Sequence, residues 1–310
     1  MEWNPITIDD RSLFEEHLQG AQGFGISDLM FTNLYLWRNA KQLRFDIFKD
    51  YLLVGSFIDP HHPVFFMPLM KMDHQSAGFD SVLSPFFATY KTFQFTSLPK
   101  DVAERFISLF PPGTEMRANP DRFDYVYRTS DLIRLEGKKY HAKKNWVHQF
   151  QKKYSWSFLP LTQERIPQVI ETQHAWCKQH QCQLHASLDA EYKGILEILE
   201  HKEQLGWVGG LIEVEGKVVA YSIGELLNEE MVVIHVEKAS PEYNGAYQMI
   251  NQQFLMHCWN DVPFVNREED LGLEGLRRAK KSYHPAYMVE KYSIVYPRTS
   301  EDHPSSIRFG

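Results

Sequence analysis

A chain of 310 residues with 43% hydrophobic and 24% charged side chains has room for about two globular domains and is too apolar for intrinsic disorder. Its formal charge of −7 excludes a protein that coats nucleic acid through a generally basic surface, while leaving room for a local basic patch. The start Met1-Glu2-Trp3-Asn4-Pro5 lacks the basic and apolar regions of a leader, and no apolar run approaches the ~18 residues of a membrane span. Cys177, Cys182 and Cys258 are too few and too odd for a disulfide framework, so a cytoplasmic protein without a transmembrane segment is expected.

From the N-terminus, Pro5 to Ile8 reads as a short strand, and Asp9 and Asp10 as N-caps of a helix reaching about Gly20. A second helix begins near Ser27, its apolar residues Leu29, Met30, Leu34 and Trp37 recurring at helical spacing. Three strands follow, Leu43 to Phe48, Tyr51 to Phe57 and Val64 to Met67, parted by turn-forming Lys49-Asp50 and Asp59 to Pro63. A helix around Gly78 to Lys91, a strand Thr92 to Ser97 and a helix from Pro99 to Phe110 close the first half at Pro111-Pro112-Gly113.

The order then repeats. Trp156 to Leu159 is a strand, and Gln163 to His180 and Asp189 to His201 are helices. Gly206 to Val214, Lys217 to Leu226 and Met231 to Val236 form a second meander, turning at Glu215-Gly216 and Asn228-Glu229. A helix from Gly245 to Trp259, a strand Pro263 to Val265, a helix from Leu271 to Ser282 and a strand Met288 to Tyr296 complete the chain. Internal duplication accounts for this repeat. The element order resembles the GNAT acyltransferase fold, a mixed sheet splayed between its fourth and fifth strands. The expected class is therefore α/β, with two tandem GNAT-like domains over residues 1–130 and 156–310.

Residues 131–155 are expected to connect them as a basic helix. From Asp131 to Tyr154, seven basic side chains stand against two acidic ones, a net of +5. Trp146, Val147 and Phe150 suit burial there while the lysines stay wet. Lys138, Lys139, Lys143 and Lys144 could receive a tRNA acceptor stem or an anionic lipid surface, although such a run is commonly only a solvated helix face.

The densest polar cluster runs from Val265 to Pro285, past a sheet strand and into a helix, where open α/β sheets bind ligands. Glu268, Glu269 and Asp270 would repel an anion at the helix start, whereas Arg277, Lys280 and Lys281 share a face that suits phosphate. Gly272 and Gly275 each cost a helix about 1 kcal/mol and call for a packing or ligand reason. Without a ligand, the run is a capped, solvated helix, acidic at its start and basic at its end.

The string Asn266 to Lys280, continued by Ser282-Tyr283-His284-Pro285, resembles a bacterial family related to the C-terminal domain of phosphatidylglycerol lysyltransferases. The resemblance extends to Phe31 to Trp37, to His235 to Ala239 and to Gly245 to Gln248, and so covers nearly the whole chain. It implies a dual GNAT fold and transfer of an aminoacyl group from aminoacyl-tRNA to an amine or hydroxyl acceptor, with a lipid head group as the acceptor in the lysyltransferases. Acyl-CoA-dependent relatives bind pyrophosphate with a Gln/Arg-x-x-Gly-x-Gly/Ala loop, and here that loop reads Glu242-Tyr243-Asn244-Gly245-Ala246-Tyr247. The acidic first position and the tyrosine put coenzyme A in doubt, and no cofactor is expected.

Transfer needs a base for the attacking group and donors for the charge that grows on the carbonyl oxygen. Glu237 or His235 suits the base, Arg267 the oxyanion and Tyr283 a proton donor to the leaving oxygen, with Lys238, Asn266, Glu269, Asp270, Arg277, Lys280, Lys281 and His284 as substrate contacts. The plainer readings are a strand-end Glu237–Lys238 ion pair and a hydrogen-bonded sheet histidine at 235. His174, Cys177, His180, Cys182 and His185 lie along one helix and its exit rather than in two separated pairs, so no metal site is expected. Two other function classes stand beside the transferase: a non-catalytic binding protein on a degenerate GNAT fold, and an acyl-CoA-dependent N-acyltransferase.

Overall fold

The computed structural model describes residues 1–71 and 80–297. The chain divides into two compact units. Among the described residues, the first holds Met1–Phe123 and residues 289–297, and the second is Asp124–Met288.

In the first unit the strands are β1 (Asn4–Pro5), β2 (Leu43–Phe48), β3 (Tyr51–Ser56), β4 (Val64–Phe66), β5 (Leu69–Met70), β6 (Phe93–Leu98) and β7 (Glu115–Ala118), with β15 (Tyr292–Tyr296) from the far end of the chain. Their sheet order is β1-β2-β3-β4-β6-β15-β7, with β5 on β3. Among the described residues of this sheet only β4 and β6 pair parallel, Val64 to Phe66 against Gln94 to Thr96. Helices α1 (Arg11–Leu18), α2 (Phe31–Trp37), α3 (Asp80–Thr89) and α4 (Lys100–Ile107) belong here. The expected helix starting at Gly78 begins outside the described residues. The aromatic share condenses into a ring cluster in which Phe65, Phe86, Phe95, Phe106 and Phe110 meet with centroids 4.7 to 6.2 Å apart, a dense apolar anchor for the sheet.

The second unit holds β8 (Asp124–Arg128), β9 (Trp156–Pro160), β10 (Val208–Val214), β11 (Lys217–Asn228), β12 (Met231–Ala239), β13 (Phe264–Asn266) and β14 (Tyr287–Val289). They are ordered β14-β8-β13-β12-β11-β10-β9. Its helices are α5 (Thr129–Arg134), α6 (His141–Lys153), α7 (Ile166–Gln179), α8 (Ala186–Glu200), α9 (Lys202–Leu205), α10 (Ala246–Cys258) and α11 (Glu274–Lys281). Here too one central pair is parallel, Met231 to Val233 of β12 against Phe264 to Asn266 of β13. Each half is therefore a GNAT-like mixed sheet flanked by helices.

The expected boundaries at 130 and 156 do not coincide with this division. The segment 131–155 is not a connector: Tyr140, Val147 and Phe150 sit in the second unit's core with Ile250 and Phe254 of α10. Trp146, expected to be buried, is 42% exposed, because Val147 and Phe150 take the inner face of α6. Its carbonyl lies so close to α10 that a Cβ at Gly245 would stand 2.6 Å away, and Gly245 also has a φ of +90°. Only glycine fits there.

The expected closing strand Met288 to Tyr296 is two strands with different sheets. β14 joins β8, while β15 lies between β6 and β7. Strands β7 and β8 are not among the expected elements.

Candidate active site

Strand β11 brings apolar residues to both faces of the sheet, as a central strand must, yet carries Glu225. Neighbouring β12 places His235 and Glu237 on one face by the two-residue period of a strand. The ladder to β13 stops at Val233 and Asn266. Beyond it two side-chain bridges link β12 to the chain leaving β13. Arg267 donates through Nη2 to Glu237 Oε1 at 2.6 Å, and His235 Nδ1 lies 2.9 Å from Glu268 Oε1.

The second nitrogen of His235 is 2.9 Å from Glu225 Oε1. A carboxylate only accepts, so both ring nitrogens carry protons and the side chain, 1% exposed, is an imidazolium. Burial opposes that charge, but the two carboxylates overcome it and hold the pKa up at about 10. His235, expected as a base, has no free lone pair here.

The Glu237–Arg267 pair is 13% exposed on each side. Glu237 Oε2 also accepts from Asn251 Nδ2 of α10 at 3.0 Å. Burial works against the Arg267 charge, and Glu237, the nearer influence, more than restores it. The Tyr283 ring stands 5.0 Å from the guanidinium and that of Tyr127 5.8 Å. Lys143 of α6 also meets this corner, its ammonium 4.2 Å from the Tyr283 ring centre. Burial and the Arg267 charge lower the pKa of Lys143, and burial raises that of Tyr283. Two buried atoms at this corner, Arg267 Nη1 and Asn251 Oδ1, have no hydrogen-bond partner among the described residues. One is a donor and one an acceptor, on either side of Glu237.

The rest of the Val265 to Pro285 run supports this corner. Asp270, fully buried, accepts from Arg277 Nε and Nη2 at 2.8 and 2.9 Å, from the Tyr125 hydroxyl at 2.6 Å and from Gly272 N at 2.9 Å. Burial raises its pKa, but these donors outweigh it and hold the carboxyl below its usual range. Lys280 is buried and donates to the backbone carbonyls of Arg267 and Glu268; burial first, and then Arg267, push its pKa down to about 8. Buried Asn266 donates to Asp124 at 3.0 Å and accepts from Glu268 N at 2.7 Å.

The phosphate face expected from Arg277, Lys280 and Lys281 is thus not assembled. Two of the three are engaged within the loop, and Lys281 is exposed. Glu269 lies within electrostatic range of Lys280, and His284 Nε2 lies 3.3 Å from the Lys139 carbonyl. The helix begins at Glu274 rather than Leu271, because Glu268, Leu271 and Gly272 adopt φ of 58°, 55° and 74°. Gly272 lies outside the helix for that reason, and open space surrounds Gly275.

Lys238, expected as a substrate contact, points to the opposite face from Glu237, where it pairs with Glu191 at 2.8 Å and lies 4.1 Å from the Trp176 ring; the plainer alternative, a Glu237–Lys238 ion pair, does not form either. Lys138 and Lys144 are exposed, and Lys139 is 3.9 Å from Asp131. Cys177 and Cys182, expected to be reduced, are joined in a disulfide. His180 stacks on Trp176 at 3.9 Å, and among the described residues no three His, Cys, Asp or Glu side chains gather as a metal site. The first unit has a buried polar cluster of its own. Buried Asp28 accepts from Lys291 at 2.6 Å, Ser97 at 3.1 Å and Arg122 at 3.3 Å.

Glu225, Glu268, Asn251 and Lys143 join the candidate site although the sequence does not single out the first three for it and assigns Lys143 to the basic segment. A carboxylate inside an apolar strand was the signal for Glu225; Asn251 and Lys143 carry none, since their partners lie on other elements.

A pH dependence of stability follows. His235 is raised from about 6.5, so its contribution is complete below pH 6.5 and drains as pH climbs towards 10, at about 1.4 kcal/mol per pH unit. Lys280 acts oppositely, since the folded state sheds that proton near pH 8, before the unfolded chain does. Calorimetry should show the melting temperature falling from pH 6.5 to 8 and levelling above. His235→Gln should flatten the first part; parallel curves for the two proteins would refute the assignment.

No helix among the described residues is long and apolar enough to cross a membrane. Among solved structures, the chain is similar to a conserved protein of unknown function from Bacteroides thetaiotaomicron, with 29% identity and a TM-score of 0.81 over 95% of this chain and 99% of that one. L-PGS from Bacillus licheniformis shares the fold at 13% identity, with a TM-score of 0.62 over 98% of this chain and 96% of that one. A tandem GNAT protein from the clavulanic acid biosynthesis pathway shares it at 11% identity, with a TM-score of 0.50 over 97% and 99% of the two chains. An uncharacterised protein of Mycoplasmoides gallisepticum is 22% identical over 178 residues, which span 55% of this chain and 55% of that protein. The family described as phosphatidylglycerol lysyltransferase, C-terminal, matches residues 23–295, and the chain belongs to that family.

Proposed function

We propose that this protein is an aminoacyl transferase that moves an aminoacyl group from aminoacyl-tRNA to an amine or hydroxyl acceptor, a lipid head group among the candidates. The observation that carries the reading is Arg267: a buried guanidinium, held by Glu237 where β12 and β13 part, with one nitrogen unpartnered among the described residues. Such a donor suits the oxygen of an ester carbonyl, whose charge grows as the bond to the acceptor forms. Glu237 takes the proton of the attacking nitrogen or oxygen. Tyr283, kept protonated by burial, gives one to the ribose oxygen as its bond to the carbonyl carbon breaks. Asn251 Oδ1 suits an N–H of the aminoacyl group.

The start of α10 supports a reaction without coenzyme A. Tyr247 occupies its first turn and its hydroxyl accepts from Trp176 Nε1 at 3.0 Å, in the stretch where pyrophosphate-binding relatives need small residues. The exposed Lys138 and Lys144 suit an anionic partner.

The test is an assay with radiolabelled aminoacyl-tRNAs and vesicles containing phosphatidylglycerol, against acetyl-CoA as the rival donor. Label entering lipid, with binding that weakens steeply as salt is added, is the expected result. Acetyl transfer would put the protein among acyl-CoA enzymes. Glu237 and Arg267 already neutralise each other, which favours a binding-only protein as the second reading; tRNA or vesicle binding without any transfer would establish it.

A further inference from the structure

We infer that His235 is a positioning residue, whose imidazolium, gripped between Glu225 of β11 and Glu268 beyond β13, fixes Arg267 in the orientation that faces Glu237. The inference rests on the transferase reading for its kinetic consequence alone.

Arg267 and Glu268 are consecutive, and in an extended strand consecutive side chains point to opposite faces. Here both address β12, Arg267 reaching Glu237 and Glu268 reaching His235, two residues apart on one face. The backbone makes this possible at Glu268, whose φ of 58° is left-handed. A side chain other than glycine resists that conformation unless its surroundings impose it. The surroundings do so from four directions. Asn266 Oδ1 accepts from Glu268 N, the Glu268 carbonyl accepts from Tyr125 N at 3.2 Å and from Lys280, and the carboxylate is held by His235.

Of these, the His235 contact alone crosses to β12, the strand that carries Glu237. It therefore sets the separation between the two arms of the splayed pair beside the Arg267–Glu237 bridge. Glu225 completes the device. A neutral imidazole has one donor, and with a single carboxylate beside it the ring could turn or lose a proton. With a carboxylate on each nitrogen it remains a rigid two-ended strut. Groups that bind in series transmit misplacement, and a shift near 1 Å at a catalytic donor costs roughly 100-fold in rate.

The experiment uses the full chain labelled with nitrogen-15 at histidine and arginine, comparing wild type, His235→Gln, Glu268→Gln and Glu225→Gln. Both ring nitrogens of His235 should be protonated at pH 7.5. The Arg267 guanidinium protons should exchange at least tenfold faster in His235→Gln and Glu268→Gln than in wild type. In the transfer assay both variants should lose kcat by about 100-fold with KM within twofold. Unchanged Arg267 exchange in either folded variant, or a neutral imidazole in wild type, overturns the inference. Glu268→Gln keeps the side chain's size and answers the question even where His235→Gln fails to fold. If wild type transfers nothing, the transferase reading falls while the nitrogen-15 measurements still decide the role of His235.

Discussion

Arg267→Lys is expected to reduce aminoacyl transfer by about 100- to 1000-fold in kcat, the usual loss for removing a donor to a developing oxyanion, with the melting temperature within a few degrees of wild type. Lysine keeps a positive charge opposite Glu237 but lacks the planar fork that lets one nitrogen hold Glu237 while another remains for substrate. Alanine is the worse probe, because it would leave the largely buried Glu237 with Asn251 as its named partner and mix destabilisation with lost chemistry. A lysine variant that keeps a third or more of wild-type kcat would remove Arg267 from the role of oxyanion donor.

The largest stability effect is expected at Asp270. Its carboxylate joins the Arg277 fork, the Tyr125 hydroxyl and the Gly272 amide in the middle of a loop with two left-handed residues beside it. Asp270→Ala removes the acceptor from all of them and leaves the Tyr125 hydroxyl buried without its partner. The cost should be about 3 kcal/mol or more, which corresponds to roughly 6 to 12 °C for a unit of this size. Arg277→Ala should cost less, because Asp270 keeps two donors and the guanidinium is one-third exposed. Equal losses for the two variants in thermal unfolding would contradict this ordering.

Much of the second half was legible because its signals are local. The near-continuous apolar run from Met231 to Val236 marks β12 as a strand buried on both faces, and the polar run after Val265 marks the corner where the candidate side chains meet. Roles within that run were not legible. Glu268, Glu269 and Asp270 read as the acidic first turn of a helix, but the pull of Asp270 on Gly272 and Arg277 keeps the chain out of a helix until Glu274. Likewise the pairing of Asp28 with Lys291 joins residues 263 apart, and the helix of Trp146 shows its apolar residues without saying which will face the core. Partners contributed by distant segments leave no periodicity to read.

The placement of β15 between β6 and β7 has a consequence for synthesis on the ribosome. The named neighbour of β7 is a strand made roughly 170 residues later, a delay of about 10 to 35 s at ordinary elongation rates. The second unit is a continuous segment nested inside that interval, so it can close while the first sheet still waits with one edge of β6 open. The nascent chain should therefore acquire its inner fold first and its outer fold afterwards, with β15 acting as the latch.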